Sequence, residues 1–337
     1  MKNKILKIAN FLIFLSIGIA LLYLAFRGID FQVLLTEFKT ANYFWVLLSL
    51  VISILGFIVR ALRWRLLIEP LGYYPRRRNT FYAVMIGYLA NFVFPRIGEI
   101  TKCGSLNKSD KIPLDSLIGT VIVERSIDVI TMIILVFVVF FAKINFFGNF
   151  LKTQIFNPVL KEFSGYLRFT PVTWIIISVI ILGIAAFFLF FRKKLAGLPL
   201  YLKIRKIIAG VGSGLKTGFT MKRSGLFILF TIILWSLYFL MTWVVFYSLS
   251  STSHLKAIDA LFILVIGSIG ITVPVQGGIG AFHWIVSLGL TLYHIPKEDG
   301  LAFATLSHES QMVLILILGS LSMIMLALNK KKSRNNE

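Results

Sequence analysis

Apolar residues in this chain gather into runs far longer than the alternating faces of a soluble helix or strand require. Six of them, Ile8–Phe26, Asn42–Val59, Leu117–Ala142, Thr173–Phe191, Gly225–Leu249 and Leu301–Leu328, can each carry a helix across roughly 30 Å of hydrocarbon. Each is predicted as a full membrane span. Two further apolar segments fit a span poorly. Phe81–Pro95 is short and closes on Asn91-Phe-Val-Phe-Pro95-Arg96-Ile-Gly98-Glu99. Ile258–Ile295 is longer but is broken by Pro274-Val-Gln-Gly277-Gly278-Ile-Gly280. Proline interrupts a helix and glycine lets the backbone reverse, so both segments are predicted to dip into the membrane and return. The expected fold is an all-α polytopic membrane protein, with six full spans and two re-entrant helical hairpins.

Charge orients this scheme. Of 337 residues 58% are hydrophobic and only 15% charged, yet the net charge is +21. In a membrane protein such an excess of lysine and arginine marks cytoplasmic loops rather than nucleic-acid binding. The stretch Arg192–Ser224 holds nine basic residues and no acidic one. Lys2, Lys4 and Lys7 precede the first run, and Lys330, Lys331, Lys332 and Arg334 follow the last. All three regions fall on one side only if Phe81–Pro95 does not cross. Both termini are therefore expected in the cytoplasm of a bacterial inner membrane, with Lys143–Pro171 outside. The first run is too long for a signal peptide and lacks a small-residue cleavage site. With a single cysteine, Cys103, no intrachain disulfide can form.

Each half of the chain reads as span, span, hairpin, span, with the two halves entering from opposite sides. That pattern predicts an inverted-topology repeat of residues 1–142 and 173–329, followed by a basic tail, 330–337. Nine residues separate Asp115 from Glu124, and nine separate Asp299 from His308, which aligns Glu124-Arg125-Ser126 with His308-Glu309-Ser310. Eight apolar segments could also fall into such an order by chance. Paired Gly/Pro-broken segments are the sequence mark of a transporter's binding site.

Several polar residues sit where lipid would not tolerate them unpaired. Glu124, Arg125 and Asp128 lie inside a span and share a helix face at spacings of three and four. A charge at mid-membrane costs about 2.5–3.5 kcal/mol or more, so Arg125 is expected to pair with Asp128 or Glu99. The group is a substrate site, a structural ion-pair cluster, or both. Asn91, Pro95, Arg96, Gly98 and Glu99 form the first tip; Arg96 offers a planar fork suited to phosphate. Gly277, Gly278 and Gly280 precede a helix, where bare amides can bind an anion, or where backbones simply pack closely. His283 stands beside them, as a hydrogen-bonded structural residue or a proton carrier. Arg60 and Arg63 share a face at a span end, where reaching toward the interface is the simpler reading.

Arg60-x-x-Arg63-Trp64, Asn91-x-x-x-Pro95-Arg96-x-Gly98-Glu99, Glu124-Arg125-x-x-Asp128 and Pro274-x-x-Gly277-Gly278-x-Gly280 occur in an order that resembles the lysylphosphatidylglycerol synthase transmembrane family. The likeness covers nearly the whole chain. It implies a flippase-like domain that moves lipids or lipid-linked head groups, and the chain resembles the stand-alone members without an aminoacyl-transferase domain. His283 stands where the family often has an acid, so no carboxylate role carries over to it.

The function these residues point to is translocation of a lipid or lipid-linked substrate. The partners are membrane lipids with anionic or phosphate-bearing head groups and no nucleic acid; a monomer and a homo-oligomer fit equally well. Arg60, Arg63, Asn91, Pro95, Arg96, Gly98, Glu99, Glu124, Arg125, Asp128, Gly277, Gly278, Gly280 and His283 are the candidate substrate contacts. No catalytic residue, metal or cofactor is expected. The alternatives are a membrane-embedded transferase, supported only by Glu124 and Asp128, and a non-transporting scaffold.

Overall fold

The computed structural model describes the backbone of residues 2–144 and 221–334, and side chains over 12–144 and 221–329. The predicted span Thr173–Phe191 and the basic stretch up to Thr220 lie outside the described residues. The chain divides into two compact units, Met1–Leu135 with Gly214–Glu337, and Val136–Ser213. The first holds nearly all the described residues; of the second only the start, a continuation of one helix, is described.

All described regular structure is helical. In chain order the helices are α1 Lys2–Phe26, α2 Phe31–Thr40, α3 Tyr43–Ile68, α4 Arg77–Val93, α5 Gly98–Asp110, α6 Leu114–Ala142, α7 Ser224–Phe246, α8 Ala257–Thr272, α9 Ala281–Thr291 and α10 Lys297–Arg334. Four of these, α3, α6, α7 and α10, are long and apolar enough to cross a membrane. A fifth crossing is added if α1 and α2, bent by 87°, count as one. The protein is thus a multi-pass membrane protein.

The helices end where local chemistry ends them. Asp30 caps α2 by accepting from the Gln32 and Val33 amides, and Asn42 caps α3 by accepting from Phe44. Lys297 donates to the carbonyls of Leu24 and Arg27 at 3.4 and 2.9 Å, closing the C-terminal end of α1 with a positive charge. Helix α2 has no counterpart among the predicted segments. Its alternation of Phe31, Leu34 and Leu35 with Gln32, Glu37 and Lys39 is amphipathic, and a scan for apolar runs passes over it.

Helices α3 and α7 form the central pair. Ser49, Ser53 and Gly56 line the buried side of α3 and permit close approach, with a Cβ at Gly56 falling 3.8 Å from Tyr238. The two run antiparallel, since the Asn42 amide before α3 donates to the Ser248 carbonyl after α7.

Two helical hairpins pack around this pair. Helices α4 and α5 are about 25 and 20 Å long, and α8 and α9 about 24 and 17 Å, each short of the hydrocarbon thickness. The base of the first hairpin lies by the C-terminal end of α3: Arg65 donates to the Pro75 carbonyl, and the Arg76 amide donates to Asp110 at the end of α5. The second hairpin leaves the chain at the opposite end, where α7 finishes. Their tips meet between them. Arg96, in the turn of the first, donates to the Thr272 carbonyl at the turn of the second, at 2.7 Å. Helix α4 also packs on the Gln276–Gly278 turn.

Glycine sets the depth of both hairpins. A Cβ on Gly98 would lie 2.3 Å from the Gly87 carbonyl oxygen, and one on Gly267 would lie 2.7 Å from the Phe282 ring. The predicted dip Phe81–Pro95 is therefore the apolar arm of a larger element, whose return arm, Gly98–Asp110, is polar.

Candidate functional site

The charged residues gather where α3, α5, α6 and α7 come together. On α6 the inward stripe is Leu117, Val121, Glu124 and Asp128, while Ile118, Ile122, Val129 and Ile133 are exposed on the outer side. The spacing of four, three and four puts two carboxylates on the inner face. On α3 the three-residue spacing of Arg60 and Arg63 turns both guanidinium groups toward them. Helix α5 brings Glu99 and Lys102.

Glu124 is fully buried and is the hub. Its Oε1 lies 3.2 Å from Arg60 Nε and 3.3 Å from Arg63 Nη2, and its Oε2 lies 2.7 Å from Lys102 Nζ. Asp128 takes Arg63 Nη2 at 2.7 Å and Arg60 Nη2 at 3.1 Å. Glu99 bonds Lys102 at 2.9 Å and also pairs with Arg125, whose Nη1 is 3.7 Å from Asp128. Tyr238 and Thr231 of α7 accept from Arg60 at 2.9 Å and Arg63 at 3.4 Å.

Aromatic rings complete the enclosure. Lys102 Nζ stands 4.7 Å over the Trp64 ring, whose indole N–H donates to Thr120 at 2.9 Å. The Arg60 and Arg63 guanidinium carbons each lie 5.8 Å from an aromatic centroid, those of Tyr88 and Phe227. Such faces offset part of the cost of removing cations from water.

The arithmetic of the cluster is uneven. Arg60, Arg63, Lys102 and Arg125 meet Glu99, Glu124 and Asp128, which leaves one positive charge uncompensated within the group. Arg125 is the member with the most open side chain, at 44% exposure, while Arg63 and Glu124 have none.

Of the residues singled out from sequence, the structure brings Arg60, Arg63, Glu99, Glu124, Arg125 and Asp128 together. Arg60 and Arg63 are buried inside the bundle rather than reaching for the interface, because α3 continues to Ile68, well past the apolar run. Lys102, Tyr238 and Thr231 were not signalled: Lys102 sits in a polar segment that reads as a loop.

The remaining candidates lie at the hairpin tips. Asn91 accepts from the Gly98 amide at 2.8 Å and so caps the start of α5. Pro95 and Arg96 form the turn, with Arg96 at φ 64°, a left-handed conformation uncommon for arginine. At the second tip the Gly278 and Ile279 amides donate to the carbonyls of Val275 and Gln276. Gly280 is a packing position, since a Cβ there would lie 2.5 Å from the Gly18 carbonyl oxygen of α1. His283 is buried on α9 and faces His308 and Glu309 of α10.

Two comparisons with known proteins find relatives of this sequence. The family model described as the lysylphosphatidylglycerol synthase TM region matches residues 8–319. A UPF0104 membrane protein of Methanocaldococcus jannaschii is 25% identical over 356 aligned residues, covering 99% of this chain and 98% of that protein. No solved structure matches significantly.

Proposed function

The chain belongs to the lysylphosphatidylglycerol synthase transmembrane-region family, and from that premise we propose that it translocates a lipid or lipid-linked substrate whose anionic, phosphate-bearing head group docks beside Arg125. The observation that carries this reading is the unbalanced cluster of four cations and three carboxylates inside an apolar bundle. An uncompensated charge in a membrane interior is costly, and an anion at its open edge removes the imbalance. A guanidinium grips phosphate oxygens through charge-assisted bonds, while the acyl chains stay in lipid.

In this reading the two hairpins are re-entrant and enter from opposite faces, and their touching tips form the barrier that the head group passes. Both termini are cytoplasmic, in a plasma membrane. Arg65, Arg76 and Arg223 around Glu69 and Asp110, at the base of the first hairpin, support that side as the positive one. The protein carries out no chemical step.

The test is Arg125→Gln in proteoliposomes containing head-group-labelled phosphatidylglycerol. It removes the excess charge and leaves the pairs to Glu124 intact. Translocation should fall at least 10-fold with the melting temperature nearly unchanged. Translocation at the wild-type rate would reduce the cluster to a structural ion-pair network, and the protein to a scaffold.

A further inference from the structure

We propose that His283, His308 and Glu309 form a binding site for a first-row divalent transition-metal ion, of which zinc is the simplest probe. The site joins α9 to α10 beside the second hairpin tip and shares no residue with the Arg60–Asp128 cluster. It holds whether or not the lipid reading does.

Hydrogen bonding fixes the tautomer of His308. Its Nε2 lies 3.1 Å from the Gly277 carbonyl oxygen, which can only accept, so Nε2 carries the proton. The ring stacks on Phe282 at 4.7 Å between centroids, which fixes its plane. In the neutral imidazole the bare lone pair is then on Nδ1, and Nδ1 faces Glu309 Oε1 at 3.4 Å. His283 Nε2 faces the same carboxylate oxygen at 3.5 Å. A buried acceptor aimed at a carboxylate is unfavourable unless a positive species lies between them.

A proton explains the distances poorly. A charge-assisted N–H···O bond to carboxylate closes to about 2.7–2.9 Å, shorter than either separation seen here. A metal explains them directly. Donors about 2.1 Å from a tetrahedral zinc lie about 3.4 Å from one another, which matches both nitrogen–oxygen separations. The three ligand atoms all lie within 4.8 Å of one another.

The surroundings fit as well. The Nε2–H of His308 to a backbone carbonyl is the kind of outer contact that orients a ligating histidine. His283 is buried, edge-on to the Phe282 and His308 rings, and its Nδ1 has no hydrogen-bond partner. Glu309 has 41% of its side chain exposed, which gives the ion a route in. Two imidazoles and one carboxylate suit zinc, iron, cobalt or manganese better than calcium or magnesium. Three protein ligands leave a coordination position open, as in exchangeable rather than closed structural sites.

The experiment uses the full-length, tag-free protein in detergent after chelator treatment, titrated with zinc in a calorimeter and with cobalt in the visible spectrum. Wild type should bind one ion per chain and show cobalt d–d bands. Affinity should fall at least 100-fold in His283→Ala and His308→Ala. Glu309→Gln, a milder change at a half-exposed position, should cost at least 10-fold if the histidine variants fail to fold. The chain's other two histidines, His254 and His294, serve as controls, and His254→Ala and His294→Ala should bind as wild type does. Absence of stoichiometric binding in wild type would overturn the proposal, as would undiminished affinity in Glu309→Gln or an equal loss in the control variants.

Discussion

The two hairpins solve the same geometric problem with opposite chemistry. Both have arms shorter than the hydrocarbon thickness, both close on glycine, and they meet tip to tip through Arg96 and Thr272. The first has a polar return arm, Gly98–Asp110, that delivers Glu99 and Lys102 to a charged cluster. The second is apolar on both arms and contributes one buried histidine. In the first, ion pairs with α6 and the seat of Lys102 on the Trp64 ring of α3 fix the hairpin; in the second, shape does, with Gly267, Gly270 and Gly289 letting α8 and α9 interlock. The lesson is that a membrane hairpin can be held by charge when its polar arm faces the bundle, because lipid then never sees it.

The largest effect expected from this contrast is at Glu124. Glu124→Ala strips Arg60, Arg63 and Lys102 of a shared partner while leaving them buried. Breaking one side of a buried ion pair costs about 3–5 kcal/mol, so the variant should lose most of its folded population in a detergent unfolding titration. Glu309→Ala, half exposed beside the second hairpin, should cost well under half of that. Equal losses would break the comparison.

Next come the glycines. In Gly98→Ala the new methyl meets backbone, the Gly87 carbonyl oxygen, which cannot step aside without separating α4 from α5. Gly267→Ala meets the edge of the Phe282 ring, which can rotate. Overpacking costs about 1–3 kcal/mol; Gly98→Ala should fall at the top of that range and Gly267→Ala at the bottom, read as the order of their melting temperatures. A smaller step is Asn91→Ala, which removes the side-chain cap on the Gly98 amide. A lost cap costs about 1 kcal/mol, and hydrogen exchange should rise at the first turn of α5 and not at α9.

Legibility in the sequence follows the same division. Apolar runs betray their spans because lipid demands uninterrupted hydrophobicity; α6 and α10 contain their predicted segments, while α3 begins one residue after the start of its segment and α7 stops three residues before the end of its own. Proline and glycine betray both turns. The polar arm α5 was invisible for the reason it works: hydropathy scores it as a loop, and only the fold shows that Lys102 points inward. Arg60 and Arg63 were legible as a shared face but misplaced in depth, since the apolar run stops at Val59 and the helix does not. Helix α2 escaped because amphipathic pattern, not apolar length, defines it. His308 and Glu309 were visible only as a register match to Glu124 and Arg125; their meeting with His283 depends on how α9 packs on α10.

The smallest expected effect lies at the point where the hairpins touch. Arg96 is exposed, and its bond to the Thr272 carbonyl is a single charge-assisted contact. Arg96→Gln removes that contact and keeps the left-handed backbone strain, so it should destabilise by about 1 kcal/mol. Arg96→Gly removes the contact and relieves the strain, which for a non-glycine residue at φ 64° is about 1–2 kcal/mol. The gain offsets the loss, so Arg96→Gly should melt within about a degree or two of wild type. That near-neutrality makes it the sharper probe of whether the tips act together. If their contact forms the barrier, Arg96→Gly should change head-group translocation severalfold at unchanged stability. Translocation matching wild type in both variants would mean that the hairpins share a boundary but not a task.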